Sequence, residues 1–243
     1  MFLRNNQGVI LTGEGEIFYR AVLEMKKTYE SALRKIKGGK QNKIYIGVAL
    51  NQCPKFLMDG CSVFQKKYPK TVLHLKELPY EQHLDGIRQG KIDLTVIAKP
   101  KDSYLNELVY NELCEDTCAF GVNGESVLAR KDKIRRQDLN GTKVLCGTYQ
   151  YMEASFEEML KGSGANLQAL HTEYNLESMA QAKFNDSVLV FHSHWKNCYS
   201  HILKVLPSDI RAGSIGVVMR EEDRERMKNL ITELRKAMGT QIC

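Results

Sequence analysis

Residues 44–50, IYIGVAL, and 92–98, IDLTVIA, are two short runs in which β-branched and other apolar side chains follow one another almost without a polar break. A strand with one wet face alternates apolar and polar residues, whereas a strand covered on both faces is apolar throughout, as a parallel sheet requires. Between the two runs, Pro54 sits where the first turn of a helix tolerates proline, and Leu57, Cys61 and Phe64 form the apolar face of that helix. Thr71–Leu78 reads as a second strand and Tyr80–Gln89 as a second helix with Leu84 and Ile87 inward. The order is βαβαβ.

Outward towards the C-terminus the alternation repeats. Strands are predicted near Thr117–Val122 and Lys143–Cys146, separated by a polar, basic stretch around Arg130–Arg136. Helices follow near Met152–Lys161 and Leu176–Phe184, the second capped by Asn175, and Val188–Phe191 is another buried strand. Ile215–Met219 and a closing helix with Met227, Leu230, Ile231, Leu234 and Met238 on one face complete the chain. These signals predict two α/β lobes, 43–116 with 219–243 and 117–218, joined by two crossing strands, with a ligand cleft between them.

Outward towards the N-terminus the period changes. Thr12 can cap a helix whose first turn holds Glu14 and Glu16, and Gly38-Gly39 marks its end. Inside it Phe18, Val22, Met25, Tyr29, Ala32 and Ile36 recur at spacings of 4, 3, 4, 3 and 4, a heptad seam that needs a partner helix. Homodimerisation through this segment is the simplest reading, with Gly38, Gly39 and Lys40 as a flexible joint.

The composition sets outer bounds. The chain has 243 residues, 43% of them apolar and 26% charged, which suits folded domains and excludes a disulfide-stapled peptide or a disordered chain. No run approaches the length of a membrane span, and seven cysteines without close pairing suit reduced thiols, so a cytoplasmic location is expected. The net charge is +6, and residues 1–43 carry nine Lys/Arg against four acids, whereas the remainder is nearly balanced. A basic arm on a neutral body points towards a polyanion.

The first twenty residues resemble the end of the winged helix-turn-helix domain of LysR-type transcriptional regulators. Phe2, Arg4, Gly8, Leu11, Thr12 and Gly15 stand at the positions of that family's wing pattern, and Ile46-Gly47, Leu84, Gly90, Ile92 and Asp93 follow in the family's order. The resemblance implies two Rossmann-like subdomains of the type 2 periplasmic-binding-protein kind. They come after a wing remnant (1–12) and a linker helix with hinge (13–42), and together form an effector-binding domain (43–243). It also implies a ligand-responsive regulator, dimeric or tetrameric, with DNA as the partner of a full-length form. Two departures stand out: these residues start at the wing, and Glu14 occupies a place where the family usually has alanine. Since major-groove readout needs a recognition helix, this polypeptide is expected to bind DNA weakly and without sequence preference, Arg4 meeting phosphate only.

In the family the effector lies between the lobes, and the matching places here carry Asn51, Gln52 and Cys53; Lys99; and Tyr149, Gln150 and Tyr151, and His192 is a further effector-binding candidate outside those places. Turns that lead into helices present free N–H groups, which suits a small anion. His192, His194, Cys198 and His201 crowd together, with 194, 198 and 201 on one face if helical, yet at no recognised metal spacing; packing is the plainer reading and no metal or cofactor is expected. Cys114 and Cys118 read as small buried thiols rather than a redox pair. No nucleophile elbow, phosphate loop or zinc-protease motif is present, so no catalytic residue is expected. The alternative is a solute-binding protein of the same two-lobed architecture without a DNA role.

Overall fold

The computed structural model describes residues 1–5, 8–37, 43–50, 52–147, 155–170 and 174–239. A short hairpin, β1 (Phe2–Asn5) and β2 (Gly8–Leu11), leads into the 25-residue helix α1 (Gly13–Lys37). The Gly15 amide donates to the Thr12 hydroxyl at 3.1 Å, so Thr12 caps the helix as its sequence position suggests. Phe18, Val22, Met25 and Tyr29 of the predicted seam are 55%, 40%, 70% and 65% exposed, so that part of the stripe is not buried against the body.

The body is a layered α/β structure. Its first half contains β3 (Lys43–Ala49), α2 (Lys55–Lys67), β4 (Val72–Leu78), α3 (His83–Arg88), β5 (Leu94–Ala98) and a single turn α4 (Asp102–Leu105). Next comes the 15-residue strand β6 (Leu108–Val122), then β7 (Lys143–Gly147), α5 (Phe156–Met159), β8 (Asn166–Leu170), α6 (Leu176–Phe184), β9 (Val188–His192) and the turn α7 (Lys196–Tyr199). The 17-residue strand β10 (Lys204–Arg220) and helix α8 (Arg224–Gly239) close the fold. β3 lies parallel between β4 and β5, and β7 lies parallel between β8 and β9, which gives the two parallel units expected from continuous apolar strands.

All eight strands nevertheless share one hydrogen-bonded order, β4-β3-β5-β10-β6-β9-β7-β8, instead of standing as two separate sheets. The two long antiparallel strands make the join. β10 pairs with β6 along its length, but the ladder is interrupted by register shifts between Pro207 and Arg211, Arg211 and Gly213, and Ile215 and Gly216. Only Ile215–Met219 reaches β5, where it meets Ala98–Leu94, while β6 meets β9 through Cys118–Gly121. β10 thus keeps β6 as a neighbour throughout and gains β5 on its other edge from Ile215 onward. Gly213 has φ +80°, a conformation that glycine adopts without strain, and bulges of this kind turn a strand.

Several elements differ from expectation. The sequence marked only Thr117–Val122 and Ile215–Met219, the apolar ends of two strands whose other portions alternate charged and buried residues. Tyr80–Gln82 is a 3₁₀ turn ahead of α3, so the second helix is shorter than predicted. Of the helix predicted over 152–161, Phe156–Met159 is helical, with Ser155 accepting from the Glu158 amide, while 152–154 lie outside the described residues. α2, α6 and α8 match their patterns, and the Asn175 cap accepts from the Ser178 amide at 3.1 Å.

Candidate functional site

The C-terminal ends of β3 and β5 face the segment that follows β9 across a narrow aromatic cleft, the place where open α/β sheets take ligands. One wall is Gln52, Tyr80 and Ala98, from the first half. The other is Phe156, Tyr174, Phe191, His192, Trp195 and Tyr199. Gln52 is 7% exposed, and its side-chain amide donates to the Tyr174 carbonyl at 3.3 Å, spanning the cleft. The Tyr174 hydroxyl donates to the Val190 carbonyl at 2.6 Å and accepts from the Gly147 amide at 2.8 Å, fixing its ring over the ends of β7 and β9. Phe191 and Tyr199 lie 4.2 Å apart between centroids, and Phe156 packs 5.5 Å from the His192 ring. The free volume is about 40 Å³, room for little more than one water, so the walls must part to admit a metabolite.

Asp116 lies beneath this cleft, on β6 beside the register shifts. Its Oδ1 accepts from the Thr117 amide at 2.8 Å, from the Ser193 hydroxyl and from His194 Nδ1 at 2.9 Å, and its Oδ2 is 3.2 Å from His192 Nδ1. Burial alone would raise its pKa, but the hydrogen bonds from His192 and His194 more than reverse this and hold the carboxyl well below the usual range. An ionised carboxylate only accepts, so both imidazoles carry a proton on Nδ1. That leaves the Nε2 of His192, buried in the cleft, with no hydrogen-bond partner among the described residues. A buried polar atom of this kind calls for a partner from a ligand or a water.

The candidates from sequence are distributed unevenly. Gln52 and His192 line the cleft. Cys53 is half-buried and packs against the main core; burial first and then the charge of Glu77 raise its thiol pKa. Lys99 follows Ala98 of the wall, and its backbone N–H donates to the Ser214 carbonyl at 3.0 Å. Asn51, Tyr149, Gln150 and Tyr151 lie outside the described residues. Arg4 is in β1, opposite Val9.

Asp116, Tyr80 and Tyr174 were missed, whereas Phe191, Trp195 and Tyr199, which the sequence reads as packing or cleft lining, line the cleft. The acid sits in a charged run, ELCEDT, whose only signal was its position at the predicted crossing between lobes. Among the described residues no three His, Cys, Asp or Glu side chains converge as metal ligands, so His192, His194, Cys198 and His201 do not form such a set. Cys114 and Cys118 point to different neighbours, Met238 and Met159, and burial pushes both thiols up to about 12.

Residues 37–239 match the family described as the LysR substrate binding domain. The chain is 26% identical over 174 residues to an uncharacterized HTH-type transcriptional regulator, YvbU of Bacillus subtilis, covering 70% of this chain and 58% of that one. It is 27% identical over 148 residues to the Hca operon transcriptional activator HcaR of Escherichia coli, covering 58% and 48%. The chain thus spans about half the length of the curated relatives it matches. Its fold resembles that of a full-length OxyR variant from Pseudomonas aeruginosa, with a TM-score of 0.64 at 16% identity over 96% of this chain and 79% of that one. The match over residues 37–239 shows that the chain belongs to the LysR family of transcriptional regulators, proteins that are not enzymes, and carries that family's effector-binding domain.

Proposed function

We propose that this domain holds a small effector in the aromatic cleft and that the whole regulator converts its binding into a change at DNA. The unpartnered Nε2 of His192 carries the reading. Gln52, whose amide already spans the cleft, is the second polar contact. We assign an anionic head to the effector, placed towards Lys99, with a donor of the same ligand at His192 Nε2 and with Asn51, Cys53, Tyr149, Gln150 and Tyr151 as further candidate contacts. The division into wing remnant 1–12, linker 13–42 and effector domain 43–243 belongs to the same reading, as does a cytoplasmic location. No helix among the described residues is long and apolar enough to cross a membrane. A ligand shifts the lobes only by its differential affinity for their two arrangements, so closure over the effector is the step that couples to DNA.

A thermal-shift screen of metabolites tests this, because a ligand at a hundred times its Kd stabilises by about 2.7 kcal/mol. The shift should vanish in His192→Phe and fall in Gln52→Ala and in Asn51→Ala with Tyr149→Ala. A hit that keeps its full effect in all three places the site elsewhere.

The exposed seam of α1 carries the second part, a homodimer or homotetramer. Met25→Glu with Tyr29→Glu puts four charges into a dimer seam and should lower the mass measured by light scattering. An unchanged mass would remove the seam from the interface. Arg4 and the β1–β2 hairpin give these 243 residues phosphate contacts without base readout, so anisotropy titrations against random and promoter-like duplexes should agree within about tenfold, or 1.4 kcal/mol. A larger difference would show that sequence is read.

A further inference from the structure

Two further donors flank the thiol of Cys114. Cys114 Sγ, on β6, lies 3.9 Å from His194 Nε2 and 3.9 Å from Met238 Sδ, near the end of α8. His194 and Met238 are 7% and 1% exposed. We propose that Cys114, His194 and Met238 form a binding site for a monovalent soft metal ion, Cu(I) or its analogue Ag(I).

Four observations support the assignment. The donor set is thiolate, imidazole and thioether, which selects Cu(I) over hard cations and lacks the fourth donor a structural zinc site needs. The two spacings from Cys114 fit: with metal–sulfur and metal–nitrogen bonds of about 2.3 and 2.0 Å, a trigonal ion separates its ligands by about 3.7–4.0 Å. The outer shell is built, since Asp116 holds the Nδ1 proton of His194 and leaves the Nε2 lone pair turned to Cys114, the carboxylate–histidine arrangement that orients metal-bound imidazoles. Finally, His194 also lines a solvent-open cavity of about 480 Å³ with Glu115, Lys196 and Arg211, which gives the ion a path inward.

Binding replaces the thiol proton by the metal, so one proton leaves per ion and no electron moves: Cys114–SH and M⁺ give Cys114–S–M and H⁺. The three ligands come from the crossing strand, the turn after β9 and the last helix. A bound ion ties them together, and through Asp116 it fixes His192 in the aromatic cleft. Metal occupancy is thus a second input to the domain, independent of whether the effector reading holds.

The test is anaerobic titration of the reduced chain with Cu(I) against a bathocuproine competitor, repeated with Ag(I) and followed by ultraviolet thiolate-to-metal charge transfer. One tight equivalent is expected, unchanged in Cys53→Ser and Cys198→Ser and at least a hundredfold weaker in Cys114→Ser. Met238→Leu keeps the packing volume and should bind about tenfold more weakly with unaltered circular dichroism, which separates ligation from folding. Equal binding by Cys114→Ser, loss only in the Cys53 or Cys198 variants, or no tight equivalent for either ion overturns the site.

Discussion

Replacing Arg220 by methionine is expected to lower the free energy of unfolding by about 3–5 kcal/mol, because it leaves buried carboxylates without their cation. Arg220 closes β10 with only 10% of its side chain exposed; its Nη2 is 3.1 Å from Asp93 Oδ1 and 2.5 Å from Asp223 Oδ2. Its Nη1 donates to the Ile87 carbonyl at 2.7 Å, the end of α3. Asp93 in turn accepts from the Tyr45 amide at 2.8 Å, so the network ties β3, the start of β5, β10 and the entry to α8 into one unit. Arg226 also reaches Asp93, at 3.2 Å, but its side chain is 42% exposed and offers a weaker, screened partner. Urea unfolding at neutral pH measures the loss. Adding Asp93→Asn to Arg220→Met removes one stranded charge and should recover part of it. A loss below about 1 kcal/mol in the single variant would mean that water or Arg226 already satisfies both acids.

That network shows what could be read from sequence and what could not. Asp93 was noted from the family's order of residues, yet its partner lies 127 positions away, and no local period encodes a contact of that kind. β3, β5, α2 and α8 were legible because burial on both faces, or on one helical face, writes itself as a run or as a spacing of three and four. The first part of β6 and the first part of β10 were not, since exposed Glu112, Glu115, Asp209 and Arg211 interrupt their apolar pattern. The cleft followed the same rule. Gln52 stands after β3, where the family pattern points, and His192 closes β9 beside Phe191, Trp195 and Tyr199, whereas Tyr80 and Tyr174 are aromatic residues like any in the core until the chain brings them together.

Acid should loosen the first wall of that cleft through His83. The ring is 1% exposed, with Nε2 donating to the Leu78 carbonyl at 3.2 Å and Nδ1 2.7 Å from the Thr95 hydroxyl. A carbonyl only accepts, so the neutral ring keeps its proton on Nε2, while the Thr95 hydroxyl beside Nδ1 also lies 3.1 Å from the Gly47 carbonyl, which takes its single proton. Burial lowers the pKa to about 4, against a smaller opposing pull from the Leu78 and Val48 carbonyls. The unfolded chain protonates near 6.5, so above that pH His83 is neutral in both states and stability does not depend on it. Between 6.5 and 4 the unfolded state binds a proton that the folded state refuses, and stability falls as pH falls, by about 3 kcal/mol once both pKa values are passed. Carboxylates titrate over part of the same range, so the observable is the difference between the native chain and His83→Asn in urea midpoints from pH 7 to 4. The variant should start less stable and decline less steeply. Parallel profiles would show that His83 is charged in the folded state or is reached by water. The consequence reaches the site because the His83 ring packs 5.5 Å from that of Tyr80. Charging His83 in the folded state therefore perturbs the contact that holds one aromatic wall in place, and effector affinity should drop only as the pH falls through about 4.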